Sequence, residues 1–157
     1  MGETVRYVVV LYRFDITANL VCRANGKVAR LSGMANRKRI LIADDNPAIR
    51  AALCRMFADH PSLEVCGEAV NGQEAVEKAA THRPELIILD LDMPAMNGLQ
   101  AAKAICKILP DVPIILLTLH AQAFTDFGIE HSGITRIVPK GEVHTLVAHA
   151  EDLVQVA

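Results

Sequence analysis

The sequence predicts an α/β fold: a doubly wound, five-stranded parallel sheet with helices on both faces. Short apolar runs rich in Ile, Leu and Val recur between residues 40 and 138, as strands buried on both faces do. Stretches with helical spacing of apolar residues separate them, which is the alternation that builds a parallel sheet. Several runs stop at a polar residue followed by turn chemistry. The clearest is Leu86-Ile87-Ile88-Leu89, which leads into Asp90 and then to Pro94, Asn97 and Gly98.

Each element has its own signal. Residues 40–43 are the first buried strand, ending at Asp44 and Asp45. Asn46 is a good cap residue and Pro47 suits the first helical position. Ile49, Leu53, Met56 and Phe57 then recur with helical spacing, to about His60, and Pro61-Ser62 breaks the helix. Residues 63–69 alternate weakly and form the second strand. Asn71-Gly72 turns the chain into a helix on Ala75, Val76 and Ala79, ending near His82-Arg83-Pro84. The strand ending at Asp90 is third. Residues 98–109 form a helix with Leu99, Ala102, Ile105 and Cys106 inward, and Pro110 stops it. Residues 112–117 are the fourth strand, ending at Thr118. Residues 120–131 read as a weaker helix with Gly128 inside it. Residues 134–138 are the fifth strand, followed by Pro139-Lys140-Gly141, and Glu142 opens a last helix on Val143, Leu146, Val147 and Leu153.

The chain of 157 residues is 52% apolar and 22% charged, which excludes a disordered protein and allows one domain with a real core. No apolar run approaches the roughly 18 residues of a membrane-spanning helix. The run Val8-Val9-Val10-Leu11 is short and lies between Arg6 and Arg13, with no secretory cleavage pattern after it. Cys22, Cys54, Cys66 and Cys106 lack metal-ligand spacing and read as free thiols, so a cytoplasmic protein is expected. Charge is uneven. Up to Arg39 there are eight basic and two acidic residues; beyond it there are eight basic and sixteen acidic, so a net +6 precedes a net −8.

That break sets the expected domain boundary: an extension over 1–35 and a folded domain over 36–157. Residues 4–14 suit a strand, Asn25-Gly26 signals a hairpin turn and residues 28–31 suit its second strand. The extension reads as a basic arm for nucleic acid or an acidic partner, or as an adventitious lead ahead of a natural start at Met34. The second reading is favoured.

Right-handed crossovers keep all five strands pointing one way, so their carboxyl ends share one edge. That edge receives Asp44, Asp45, Asp90, Thr118 and Lys140. In the order 2-1-3-4-5 the switch point falls between the first and third strands, where ligands bind and where the three carboxylates converge. Like charges so close are costly unless a cation compensates. Magnesium suits a few carboxylates completed by water and phosphate oxygens. A lysine and a hydroxyl nearby supply what a phosphoryl group needs. Asp90 is then the candidate nucleophile, since carboxylates form aspartyl phosphates.

The motifs Ile-Ala-Asp-Asp at 42–45, Asp-Leu-Asp-Met-Pro-Ala-Met-Asn-Gly at 90–98, Leu-Leu-Thr at 116–118 and Lys140 after the fifth strand resemble the receiver domain of response regulators over 37–156. Residues 67–72 and 139–142 are most similar to receivers usually joined to a helix-turn-helix output domain, which is not expected in this chain. The resemblance implies a flavodoxin-like fold and phosphorylation of Asp90 by a histidine kinase or a histidine phosphotransfer protein. It implies Mg2+ on Asp45 and Asp90, with the Asp92 carbonyl as a further ligand and Asp44 acting through water. It implies that Thr118 and Lys140 bind phosphoryl oxygens. Signalling would follow by phosphorylation-dependent partner binding or homodimerisation, with no direct DNA binding and no membrane. No enzymatic turnover is implied beyond self-catalysed gain and loss of phosphate.

Three positions depart from the family pattern. Leu119 is large where a small residue usually follows the threonine. Ile137 replaces the usual aromatic switch residue. Gly141 stands where proline often follows the lysine. A rival reading is a haloacid dehalogenase-type phosphatase, with Asp90 as nucleophile and Asp92 as acid. It leaves the acid pair at 44–45 unexplained, and Met93-Pro94 is not its usual continuation.

Overall fold

The computed structural model describes residues 21–24, 27–30, 37–119 and 132–155. The chain divides into two compact units, Met1–Arg37 and Lys38–Ala157. In the first, β1 (Val21–Ala24) pairs antiparallel with β2 (Lys27–Arg30), with Ala24 opposite Lys27. The partner of β2 is therefore the adjacent segment, whereas residues 4–14, expected as a strand, lie outside the described residues. A tight two-residue connection favours the neighbouring segment over a distant one.

The second unit follows the expected order. Its strands are β3 (Lys38–Ala43), β4 (Leu63–Ala69), β5 (Leu86–Asp90), β6 (Ile114–Thr118) and β7 (Ile134–Pro139). All pair in parallel in the spatial order β4-β3-β5-β6-β7, which is 2-1-3-4-5 counted within this unit. The described α-helices are α1 (Pro47–Ala58), α2 (Gly72–His82), α3 (Gly98–Ile108) and α4 (Leu146–Gln155). The helix expected over 120–131 falls outside the described residues.

Alternation along each strand sends side chains to two cores. Ile40, Ile42, Leu86, Ile88, Ile115 and Leu117 pack with Phe57 of α1 and Leu146 of α4. Their neighbours Leu41, Ala43, Ile87, Leu89, Ile114 and Leu116 pack with Ala75 of α2 and Ile105 of α3. The central strand β5 is buried along its whole length, including Asp90. A carboxylate buried at the end of such a strand needs a specific partner.

The first strand of this unit begins at Lys38, two residues before the expected Ile40, and two further boundaries differ for local reasons. The strand expected from residue 112 begins at Ile114, because Pro113 has no N–H to give the ladder and offers only its carbonyl, to Ile87 N at 3.1 Å. The helix expected from Glu142 is a 3-10 turn over Lys140–Thr145, with α-helix only from Leu146. Pro139 precedes it without a side-chain cap, Glu142 lies off helical geometry, and the Thr145 hydroxyl donates to the Glu142 carbonyl at 2.8 Å. Local side-chain bonding of this kind competes with a regular helix.

Candidate functional site

The carboxyl edge of the sheet brings its polar residues together through the crossovers alone. Asp44 and Asp45 follow β3, and Asn46 caps α1 by accepting from Ala48 N at 2.9 Å and Ile49 N at 3.3 Å. Asp44 is fully buried, and its Oδ1 accepts from Asn46 N at 2.8 Å. Asp90 closes β5 with only 2% of its surface exposed. One oxygen each from Asp44, Asp45 and Asp90 can lie within 4.8 Å of one another.

Lys140 comes from the far end of the chain to meet them. Its Nζ lies 2.8 Å from Asp90 Oδ2 and 3.0 Å from Asp44 Oδ2. Burial pushes the Asp90 carboxyl above its ordinary value; Lys140 opposes this and the Asp44 charge adds to it. Burial works to lower the Lys140 ammonium, but its bonds to Asp90 and Asp44 outweigh that and leave it raised. Lys140 is thus held charged by the two carboxylates it bonds, while burial is the main reason the Asp90 carboxyl is raised.

Thr118 is buried at the end of β6, one residue beyond Leu117, which pairs with Asp90 in the ladder. The side chain of Asp92 is exposed and is not one of the three carboxylates grouped within 4.8 Å, while its backbone N–H points to Asp90 Oδ1 at 3.4 Å. Leu119 is 71% exposed at this edge. Ile137 is partly buried against the core shared by α2 and α3.

Glycines hold the loop that follows Asp90. Gly98 N donates to Leu91 O at 2.9 Å, and a Cβ on Gly98 would meet the Asp90 carbonyl oxygen at 2.2 Å. Gly72 N donates to Met96 O at 3.0 Å, and a Cβ there would meet the same oxygen at 2.3 Å. Between them Ala95 takes a positive φ of 64°, an uncommon conformation for a residue with a Cβ. Asn97 caps α3 with a reciprocal bond to Gln100. The sequence marked these glycines as turn residues. Their close approach to carbonyls became visible only in three dimensions.

The residues fit a divalent ion. Three carboxylate oxygens gather within 4.8 Å of one another, close enough for one magnesium to be reached directly by some and through a bound water by another. The excess negative charge beside Lys140 is the sign such an ion neutralises.

Comparison with known proteins decides the family. The model of the response regulator receiver domain matches residues 40–151. The chain belongs to this family. Receivers are the phosphorylation-controlled modules of two-component systems, and an acceptor aspartate with Mg2+ is characteristic of them. The receiver is 39% identical over 115 residues to a protein-glutamate methylesterase/protein-glutamine glutaminase of Methanosarcina acetivorans, which covers 72% of this chain and 33% of that protein. A counterpart from Paramagnetospirillum magneticum is 40% identical over 119 residues, covering 75% of this chain and 33% of its own. The chain thus spans about a third of the length of these curated relatives.

Among solved structures, the response regulator domain of Thermotoga maritima CheB superposes with a TM-score of 0.67 at 28% identity, covering 76% of this chain and 95% of that one. The response regulator TrrA of the same organism, in complex with Mg2+ and BeF, gives 0.65 at 33% identity, covering 74% and 98%. Among the described residues no helix is long and apolar enough to cross a membrane.

Proposed function

We propose that this receiver accepts a phosphoryl group on Asp90 from a histidine kinase or a histidine phosphotransfer protein. The observation that carries the reading is Lys140 reaching both Asp90 and Asp44 in an acid cluster close enough to share one magnesium. Asp45 and Asp90 would hold Mg2+ directly, with the backbone carbonyl of Asp92, and Asp44 would act through a bound water. The ion supplies charge neutralisation for the incoming phosphoryl oxygens.

The chain's own residues do the rest. A carboxylate oxygen of Asp90 attacks phosphorus in line with the phosphohistidine bond. A P–O bond forms as the P–N bond breaks, and the imidazole nitrogen leaves with the bonding pair. Lys140 turns from Asp90 toward a phosphoryl oxygen, and the Thr118 hydroxyl donates to another. The anionic acceptor is thereby exchanged for an anionic product held by the same donors, with Lys140 the group that changes partner.

Signalling would follow by phosphorylation-dependent binding of a partner, or by pairing of two copies. No direct DNA binding is proposed for these residues, and no turnover beyond gain and loss of the phosphoryl group. The methylesterase relatives make a methylesterase-linked output one candidate partner function. The phosphatase reading leaves the acid pair Asp44 and Asp45 unexplained, whereas the receiver reading uses both.

Incubation with a small phosphodonor and Mg2+, followed by intact mass, tests the assignment. One phosphoryl addition is expected, absent in Asp90→Asn and in chelator. Label that persists in Asp90→Asn overturns it, and steady turnover of a generic phosphate ester favours the phosphatase.

A further inference from the structure

The three acids are not equally supported. Asp44 is held by Asn46 N–H and Lys140, and Asp90 by Lys140 and the Asp92 N–H. Asp45 stands exposed in the loop between β3 and α1. Two contacts tie that loop to β4: Asp44 N donates to the Ala69 carbonyl at 3.2 Å, and Arg50, near the start of α1, bridges the loop to Glu68. Arg50 Nη1 donates to the Asp44 carbonyl at 2.8 Å, and its Nε donates to Glu68 Oε2 on β4 at 3.1 Å. The Arg50 side chain is only 16% exposed. Glu68 is anchored in turn, because its carbonyl accepts from Lys78 of α2.

The carbonyl that Arg50 grips belongs to the peptide joining Asp44 to Asp45. A guanidinium is a planar fork with fixed donor directions, so two acceptors, one in the loop after β3 and one on β4, lock its orientation. The ion pair with Glu68, half exposed, adds little stability of its own. Its consequence is geometric. We infer that Arg50 is a positioning residue for the metal site: by holding the Asp44–Asp45 peptide against β4, it sets the direction in which the Asp45 carboxylate leaves the chain. This rests on reading Asp45 as a magnesium ligand.

Charge and geometry make opposite predictions here. Arg50 is a cation near a cation site, so removing it should tighten Mg2+ if Coulomb repulsion dominates. If Arg50 acts by position, removing it should loosen Mg2+. Calorimetric titration of Mg2+ into the full chain separates them, alongside thermal unfolding in chelator. For Arg50→Ala the expected result is weaker binding by about tenfold, the low end of what loss of an outer-shell partner costs a metal site. Binding as tight as wild type, or tighter, overturns the inference. If Arg50→Ala does not fold, Arg50→Lys decides, since it keeps the charge and loses the fork: weaker binding supports the inference and unchanged binding overturns it. A wild-type chain that binds no Mg2+, or Asp45→Asn that binds it as well as wild type, overturns the magnesium assignment itself.

Discussion

The Lys140 ammonium stands 2.8 Å from Asp90 Oδ2, and the same nitrogen bonds Asp44 Oδ2 at 3.0 Å. One cation thus serves two carboxylates buried at the end of adjacent strands. Neither acid can be removed from this arrangement without changing the charge balance of the other.

That balance predicts a pH-dependent stability. The folded-state pKa of Asp90 lies above its ordinary value, chiefly through burial. Ionised Asp90 therefore weakens the fold above that pKa, and the penalty fades as pH falls toward the ordinary aspartate value of about 3.9. Asp90→Asn should raise the unfolding midpoint in chelator by a few degrees at neutral pH, and by less in acid. Lys140 keeps Asp44 as partner in that variant. Adding Mg2+ should stabilise wild type and much less the variant. An Asp90→Asn midpoint at or below wild type at neutral pH contradicts this account.

Much of the site was legible in the sequence because topology alone produces it. Apolar runs at 40–43 and 86–89 mark parallel strands, and their carboxyl ends must share an edge, so Asp44, Asp45 and Asp90 converge without any side-chain detail. Lys140 is harder, since its pairing with Asp44 spans 96 residues and follows only once β7 is placed beside β6. Arg50 was not found. It sits on a helix already explained by Ile49, Leu53 and Phe57, and its acceptor is a backbone carbonyl, which sequence does not distinguish. The 3-10 turn after β7 was missed for a related reason: helical apolar spacing does not reveal that Thr145 bonds back to Glu142.

The N-terminal segment offers a separate test. Its net charge is opposite in sign to that of the remainder, and the chain divides into compact units at Arg37 and Lys38. A chain beginning at Met34 is expected to fold and to take up phosphate at the wild-type rate. Loss of the folding transition or of labelling on removing residues 1–33 would show that the receiver needs them.

Leu119 can be examined next. At 71% exposure its side chain is not core packing, so Leu119→Ala should cost well under the roughly 2–5 kcal/mol of a buried leucine. The residue after Thr118 stands at the same edge as Asp90, where water and phosphodonors would approach under the proposed function. Apolar bulk there slows both, and a tenfold effect needs only about 1.4 kcal/mol at the transition state. Leu119→Ala should therefore speed labelling by a small donor and shorten the phosphorylated lifetime, with Mg2+ affinity unchanged. Both rates staying within about twofold of wild type, against that tenfold scale, would mean Leu119 does not screen the site.

Gly98 joins fold and chemistry most directly. It opens α3, and a Cβ there would meet the Asp90 carbonyl oxygen at 2.2 Å, the Asp90 carbonyl carbon at 2.9 Å and Leu116 Cδ1 at 2.9 Å. Two of those atoms are backbone of Asp90, the proposed acceptor, so they can yield only by moving that residue itself. Gly67 supplies the comparison, because a Cβ there would meet the His82 ring at 3.0 Å, the end of a side chain that can rotate. Gly98→Ala should cost about 1–3 kcal/mol of stability by overpacking. It should also slow phosphorylation at saturating Mg2+, since the Asp90 carboxylate would shift from Lys140. Gly67→Ala should leave the labelling rate near wild type whatever it costs in stability. Denaturant midpoints and labelling rates measured on both variants separate general destabilisation from displacement of the acceptor. If Gly98→Ala labels as fast as Gly67→Ala, the strand end tolerates the shift and Gly98 serves packing alone.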